Sequence, residues 1–304
     1  MNKRNALNLG LLAGVVALGL ITWLEPGHKP KPKPPKLTAL KPAQVQDIRI
    51  VRAKGKDIAL KRVDDGWQMQ APVTAPANDW QVQSLLRVAK TESLSATPAS
   101  GLDLATYGLD KPAARLYLNK LELDFGNRTP LDDRRYVLIG NTIHTIQDVA
   151  YYHLIGRYTR YIDTRLLPQH AKIEGLTLPG MKLTLDKGKW ELQPKPARYS
   201  ADAVSRLVEA WQYASGLSVA PYTKVKHGAK KDEEVQVRLA GEKAPLVFRI
   251  VARKPDLILA RPDLGIEYHL PQDQAKKMMT LTADIATTKA AVAAKPRGTG
   301  ARTP

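Results

Sequence analysis

Hydrophobic and polar residues alternate along this chain in an order that occurs twice. In the first copy, the segments QDIRIVR and IALKR alternate as half-buried strands do. The turn Asp65-Gly66 then leads into a strand with Trp67 and Met69 on one face. In the second copy, KIEGLTL and MKLTLDKGK are followed by a strand with Trp190 and Leu192 on one face. The pattern predicts two similar β-hairpins.

Each predicted hairpin is followed by prolines, which end the sheet, and then by an amphipathic helix. Asn78 and Ser200 are good N-cap residues, and both precede an apolar stripe with helical spacing. The first stripe contains Val82, Leu85, Leu86 and Ala89, and the second contains Val204, Leu207, Val208 and Trp211. Two matching stripes after two matching hairpins indicate an internal repeat.

The remaining segments are parallel in the two copies. Strand patterns in ARLYLNKLELDFG and RRYVLIGNTIHTI, with a short helix near QDVAYYHLIGR, are echoed by EVQVRLAGEKAPLVFRI, LILARPDLGIEYHL and QDQAKKMMTL. The predicted fold is α+β, with two tandem similar lobes of antiparallel strands and amphipathic helices at residues 44–168 and 169–283. We expect Trp67 and Trp190 to be buried.

The N-terminus carries a membrane signal. After the basic leader MNKRN, residues 6–24 contain no charge and would extend about 28 Å as a helix, close to the roughly 30 Å of a bilayer core. We expect residues 1–25 to form a cytoplasmic leader and an uncleaved transmembrane signal-anchor in the bacterial inner membrane, with the body in the periplasm. The alternatives are a removable signal peptide, a buried core helix, or the opposite orientation, which the lysines after the span favour by simple count.

Two further segments differ in composition from the folded body. Lysine and proline alternate through residues 26–43, which predicts an extended polyproline II spacer; its lysines could also adhere to anionic lipid or wall polymer. Residues 284–304 are poor in large apolar side chains, which predicts a disordered basic tail.

Composition limits the chemistry of the folded part. With 43% hydrophobic and 25% charged residues, the 304-residue chain can bury a sizeable core. The absence of cysteine excludes disulfides, thiol nucleophiles and thiolate metal sites. The formal net charge is +18, and about half of this charge lies in residues 1–42 and 284–304. We expect no nucleic-acid binding, because no element that would read bases is recognisable.

Several motifs together resemble a known family. Trp67 and Pro72 before a capped helix, the motif YGLDKP at 107–112, and the segment FGNRTPLDDRRYVLIGNTIHTI resemble the domain-of-unknown-function 4340 (DUF4340) family over residues 45–281. The resemblance implies a membrane-anchored bacterial envelope protein, and some members are encoded beside components of ABC-type transporters. It assigns no catalytic residue. In the second copy, PYTKVKHGAKKDEE stands where YGLDKP would be.

No local motif predicts catalysis, a cofactor or a metal site. The six histidines lack zinc-ligand spacing, and the pairs Asp64-Asp65 and Asp132-Asp133 adjoin turn signals. Nucleophile-elbow, Walker and dinucleotide-binding motifs do not occur in the sequence. His144 and His269 fall at similar places in the two copies, on alternating strands, which favours solvent-facing strand positions over the role of a general base.

The most unusual segment for a surface is YYHLIGRYTRY, in which aromatic and basic residues are interleaved. Such residues can stack on a glycan, lipid head group or nucleic acid and pair with phosphate. The alternative is a terminal helix whose tyrosines pack on the sheet. The candidate ligand or partner surface contains Tyr151, Tyr152, His153, Arg157, Tyr158, Arg160 and Tyr161.

These observations favour a function without catalysis. We expect a membrane-anchored envelope protein that acts as a partner-binding or accessory module, and the resemblance points to ABC-type transporter components as partners. One alternative is a receptor for an anionic envelope polymer or lipid head group. Another is an enzyme whose catalytic residues are dispersed along the chain.

Overall fold

The structure is a computed structural model that describes residues 3–24, 34–64, 66–130, 132–148, 151–195, 200–222 and 233–281. The predicted tail, 284–304, and residues 26–33 of the predicted spacer lie outside the described residues. So does most of the segment that replaces YGLDKP in the second copy, at 223–232.

The N-terminal unit contains one helix, α1, from Lys3 to Leu24. Its part Lys3–Trp23 has a mean hydropathy of 1.9 and is long and apolar enough to cross a membrane. Its described hydrophobic side chains are exposed, which is the condition of a helix that meets lipid rather than a protein core. The prediction of one N-terminal transmembrane helix agrees with this finding.

The first half of the body forms an antiparallel sheet. In the described residues its spatial order is β4-β3-β2-β1-β6-β7-β8-β9-β5. The strands are β1 (Asp47–Arg52), β2 (Ile58–Val63), β3 (Gly66–Ala71), β4 (Ala75–Pro76), β5 (Ser95–Pro98), β6 (Ala114–Leu118), β7 (Leu121–Arg128), β8 (Arg134–Ile139) and β9 (Thr142–Gln147). The helices are α2 (Asp79–Val88) and α3 (Tyr151–Ile155), with 3-10 turns at Pro42–Gln44, Leu104–Tyr107 and Tyr158–Tyr161.

The second half forms a sheet with the order β12-β11-β10-β14-β15-β16-β17-β13 among the described residues. Its strands are β10 (Ile173–Leu178), β11 (Met181–Asp186), β12 (Lys189–Gln193), β13 (Ser218–Pro221), β14 (Glu234–Leu239), β15 (Leu246–Ala252), β16 (Leu257–Arg261) and β17 (Ile266–Leu270). Its helices are α4 (Ala201–Gln212) and α5 (Gln272–Met279).

Apart from β4, the two sheets repeat the same order of strands. In each, a three-stranded hairpin unit lies beside a four-stranded meander, and the strand after the amphipathic helix closes the far edge. The structure therefore confirms the predicted α+β fold with two similar lobes.

Both repeats begin with a short segment that pairs in the same way. Lys36 bridges Glu92, and the Leu37 amide donates to the Thr91 carbonyl. The second repeat begins in the same way ahead of the predicted boundary at residue 169, since Arg165 bridges Ser215 and the Leu166 amide donates to the Ala214 carbonyl. Leu37 and Leu166 are both buried. Residues 36–43 therefore belong to the body, and their inclusion in the predicted spacer is wrong.

The amphipathic helices are capped and oriented as their sequences predict. The Asn78 side chain accepts from the Gln81 amide, and the Ser200 side chain accepts from the Ala203 amide. The apolar stripe of each helix packs on the core, and its least buried member, Val208, is half-buried there. The fully buried members are Val82, Leu85, Leu86, Ala89, Val204, Leu207 and Trp211.

The two repeated tryptophans occupy equivalent register positions but differ in burial. Trp67 pairs across from Arg62, whose guanidinium lies 4.8 Å above the indole, and Trp67 is only 5% exposed. Trp190 pairs across from Leu185 and is half-buried. Among the described residues, β4 covers the outer edge of β3 and no strand covers that of β12. The prediction of burial is therefore confirmed for Trp67 and wrong for Trp190.

The motif YGLDKP has a structural role. It follows the 3-10 turn at Leu104–Tyr107, and Gly108, with φ of 65°, ends that turn in the left-handed region. A side chain at Gly126 would collide with the Tyr107 carbonyl, and one at Gly108 would collide with the Asn127 side chain. The motifs YGLDKP and FGNR therefore pack against each other, which explains why both need glycine.

Candidate functional site

The predicted surface segment is held on the first sheet by contacts at several points. Helix α3 packs on β1, β6 and α2. Leu154 is fully buried, and the Arg135 guanidinium lies 3.5 Å from the centre of the Tyr151 ring. The Tyr161 hydroxyl donates to the His153 carbonyl, and the Tyr161 carbonyl accepts from the Asn78 amide at 2.8 Å. The exposed side chains of this segment thus project from a fixed backbone.

Two members of the predicted surface are core residues. Tyr158 is 8% exposed and Tyr161 is 1% exposed. Both lie in a 3-10 turn, where side chains three residues apart share one side, and that side faces the core. Burial raises the pKa of both phenols. Their inclusion in a binding surface is wrong.

The other predicted members reach the surface to different extents. Tyr152 is 67% exposed, and Arg157 and Arg160 are also exposed. Tyr151 and His153 are half-buried. Burial lowers the pKa of His153, and the positive charges of Arg160 and Arg87 lower it further. The imidazole is therefore neutral near pH 7, and the charge of this surface comes from arginine.

The structure adds three residues that the sequence pattern did not identify. Trp80, in the first turn of α2, is 63% exposed, and its ring meets the His153 ring edge-on at 6.4 Å. Ile155 is 45% exposed, and Arg87 lies exposed at the end of α2. A Trp in the polar face of an amphipathic helix is the one sequence signal that could have revealed this extension. We call the following set the aromatic–arginine patch: Trp80, Arg87, Tyr152, Ile155, Arg157 and Arg160.

The arginines of the patch lack carboxylate partners. Arg87, Arg157 and Arg160 form no salt bridge with any residue in the part of the chain that the structure describes. Arg87 donates to the Ser84 hydroxyl of its own helix. Elsewhere in the body, arginines are commonly bound to carboxylates, as at Arg115, Arg128, Arg135, Arg165, Arg253 and Arg261. The patch therefore concentrates unpaired positive charge beside exposed aromatic rings.

A buried ion pair supports the patch from below. The Arg135 guanidinium donates to both carboxylate oxygens of Asp148, at 2.7 and 2.8 Å, and to the Gly126 carbonyl. Both side chains of the pair are only 7% exposed. Since the same guanidinium stacks on Tyr151, this pair links the orientation of α3 to strands β7 and β8.

The second lobe has no equivalent patch among its described residues. Asp202 stands after the N-cap of α4 where Trp80 stands in α2. The exposed large side chains of this lobe are Tyr213, at 80%, and Leu217, at 71%. Among the described residues, the two lobes thus share a scaffold, and the patch occurs in the first lobe.

A cleft of about 880 Å³ lies where the two lobes meet, and it was not predicted. The Arg165 guanidinium is bound to Asp163, and the Arg261 guanidinium to Asp263. Burial raises the pKa of Tyr268 to about 12. Both arginines are already neutralised here, unlike those of the patch. The walls include Trp67, Asp79, Asp163, Arg165, Arg261 and Tyr268.

The other candidate groups are placed as structural residues. Asp132 and Asp133 pair with Arg134 and Arg128, as turn residues next to cations do. Within the described ranges, no group of three or more His, Asp or Glu side chains is placed to hold a metal ion.

His144 and His269 lie at similar places in the two sheets, one register position apart, and both are half-buried. His144 pairs with Ala96, whereas His269 pairs with Ser218, and the register makes Thr145 the counterpart of His269. Because adjacent residues of a strand face opposite sides, the two rings lie on opposite faces of their sheets. His144 contacts the Ser93 hydroxyl, and burial lowers its pKa.

Comparison with known proteins identifies a family and no activity. A family model for a domain of unknown function (DUF4340) matches residues 67–237. The matched region runs from β3 in the first sheet to β14 in the second, and it includes the whole patch. No curated protein and no solved structure matches the chain.

Proposed function

The chain belongs to the DUF4340 family, and we propose that it is a membrane-anchored, non-catalytic accessory module that binds a partner in the bacterial cell envelope. Helix α1 would anchor it in the inner membrane, with the body in the periplasm. The single observation that carries the binding role is the aromatic–arginine patch, where Trp80 and Tyr152 are exposed beside three unpaired arginines. Exposed aromatic and arginine side chains are enriched at binding hot spots.

The chemistry of the patch defines what it can bind. Arginine and tryptophan side chains donate hydrogen bonds and accept none, so a matching ligand supplies acceptors and negative charge. An acidic surface of an envelope protein satisfies this requirement. ABC-type transporter components are proposed as partners on the family resemblance alone.

A second candidate function is that of a receptor for an anionic envelope polymer or a lipid head group. The observation that favours it is the absence of carboxylate partners at Arg87, Arg157 and Arg160 within the described residues. Phosphate is a good bidentate acceptor for the guanidinium group.

Site-specific photo-crosslinking in native membranes tests the proposed function. A photoreactive amino acid at Tyr152 should form a discrete adduct, and substitution of the three patch arginines by glutamine should abolish it. The same group at Tyr213, which is 80% exposed in the other lobe, is the matched control. An adduct with a polypeptide supports the accessory role, and an adduct with lipid or polymer supports the second candidate. Equal yields with and without the arginines would contradict both.

Two further experiments test the location and the non-catalytic role. Alkaline phosphatase fused after residue 281 should be active. Fluorescence of a cytoplasm-dependent reporter at that position would show that the body lies in the cytoplasm.

Substitution of any single His, Asp or Ser of the body by alanine should have at most a graded effect on partner binding. Complete loss of function from one such change, with stability and membrane level unchanged, would establish the enzyme alternative.

A further inference from the structure

We infer that the aromatic–arginine patch docks on an anionic lipid surface and thereby fixes the orientation of the first lobe on the membrane. This inference rests on the second candidate of the proposed function, since it names an anionic lipid surface as the ligand of the same patch. It also goes beyond it, because a body oriented on lipid presents its remaining surfaces, including Tyr213 and Leu217, to other partners.

The charge of the patch matches a lipid surface that carries phosphate. Its three arginines are exposed and have no salt bridge within the described residues. The carboxylate next to Trp80 in the sequence, Asp79, lines the cleft and acts electrostatically on Arg165. It therefore leaves the positive potential of the patch intact. Anionic head groups attract such clusters over about a Debye length.

The apolar side chains of the patch suit the boundary between water and hydrocarbon. Tryptophan and tyrosine rings favour the head-group level because they combine an apolar body with a polar tip. Trp80 and Tyr152 are each more than 60% exposed, and Ile155, at 45%, adds an aliphatic group beside them. A bilayer surface accommodates these three large side chains together with the arginines, whose charge pairs with phosphate.

The patch is also rigid, which reduces the entropy lost on docking. The buried residues Leu154 and Tyr161 hold the segment from beneath. Arg135, bound to Asp148, stacks on Tyr151.

The length of the connecting segment makes docking feasible. Only residues 25–35 separate the end of α1 from the first residue of the body. A segment of that length spans at most about 40 Å when fully extended. A chain anchored through α1 would therefore hold the patch at a high effective concentration near the bilayer, so that weak contacts suffice.

The chain lacks cysteine, so one engineered cysteine gives a site-specific probe. Full-length Tyr152→Cys, labelled with an environment-sensitive fluorophore, is reconstituted into vesicles of phosphatidylcholine with or without phosphatidylglycerol. We expect a blue shift and quenching by brominated lipid only in the anionic vesicles, with both effects reduced by high salt. A labelled Tyr213→Cys variant should show neither effect.

The arginine requirement is tested in the same chain. Arg87→Gln, Arg157→Gln and Arg160→Gln together should remove the lipid-dependent shift, and the corresponding lysine variant should retain most of it. All of these side chains are exposed, so an unchanged midpoint of chemical denaturation serves as the folding control.

An identical, water-like emission of the Tyr152→Cys label in both kinds of vesicle would overturn the inference. If the crosslinker at position 152 still captured a polypeptide in an arginine-dependent way, the proposed function would stand with a protein partner. Loss of both signals would refute both proposals.

Discussion

The indole ring of Trp80 meets the imidazole ring of His153 edge-on, with 6.4 Å between their centroids. Trp80 lies in the first turn of α2 and His153 lies in α3, so this contact joins helices that are far apart in the sequence. Arg87 and Arg160 both act on the same imidazole. The contact places a tryptophan and an arginine of α2 beside the exposed residues of α3, and it defines the extent of the patch.

Neighbouring tyrosines of one segment should differ sharply in their effect on stability. Tyr161→Ala should lower the free energy of unfolding by about 3 kcal/mol or more, because the ring is 1% exposed. Tyr152→Ala should change it by less than about 0.5 kcal/mol, because that ring is 67% exposed. Urea denaturation of both variants measures the difference. Similar losses would mean that the segment does not face the core as described.

Loss of the buried Arg135–Asp148 ion pair should lower the free energy of unfolding far more than loss of an ion pair at the surface. Arg135→Gln should cost about 3 kcal/mol, because the buried Asp148 carboxylate loses its bidentate partner and keeps only its longer contact with Arg128, at 3.4 Å. Asp133→Asn should cost less than about 1 kcal/mol, because that side chain is 88% exposed. If Arg135→Gln proved neutral in denaturation, the support of the patch by this pair would be refuted.

Two half-buried histidines should make the free energy of unfolding sensitive to mild acid. Burial lowers the pKa of His144 and of His153 below the usual 6.5, so the unfolded chain binds protons more readily than the folded one. Their contribution to stability is therefore fully present above about pH 7 and is lost as the pH falls through 6.5 towards the folded pKa values. His153→Gln should make the free energy of unfolding less dependent on pH between 7.5 and 5.5. The exposed His170→Gln is the control and should leave that dependence unchanged.

The short segment at the start of each repeat should contribute to the stability of the core. Leu37→Ala and Leu166→Ala should each cost about 2–4 kcal/mol, because both side chains are buried at equivalent positions. The exposed Lys41→Ala should have little effect. Thermal denaturation of the three variants measures these changes in stability. If Leu37→Ala left the stability unchanged, residues 36–43 would belong to the spacer and not to the body.

Much of the fold could be predicted because its sequence signals are local and occur in both repeats. Asn78 and Ser200 mark helix starts through their own side chains, and the stripes of α2 and α4 follow from helical spacing. The hairpins follow from alternation around glycine turns. The burial of Leu37 could not be predicted, since it depends on pairing with Thr91, and the flanking Lys-Pro composition concealed it.

The site could be predicted only in part. The alternation of aromatic and basic residues predicts that Tyr152, Arg157 and Arg160 lie on the surface. The same alternation does not show which side of a 3-10 turn faces the core. The prediction that Tyr158 and Tyr161 belong to the surface is therefore wrong. Trp80 and Arg87 join the patch through tertiary packing of α2 on α3, and the cleft arises from the junction of two lobes. Apart from the tryptophan in the polar face of α2, neither relationship leaves a pattern in a single sequence.

Side-chain footprinting in native membranes determines whether the aromatic–arginine patch is covered where the protein works. Trp80 and Tyr152 are 63% and 67% exposed in the isolated chain, and Tyr213 is 80% exposed. Hydroxyl-radical oxidation should be strongly reduced at Trp80 and Tyr152 in native membranes relative to the purified chain in uncharged nanodiscs, and it should be unchanged at Tyr213. Equal oxidation of Trp80 and Tyr152 in native membranes and in uncharged nanodiscs would mean that nothing covers the patch, and both proposed ligands of the patch would be refuted.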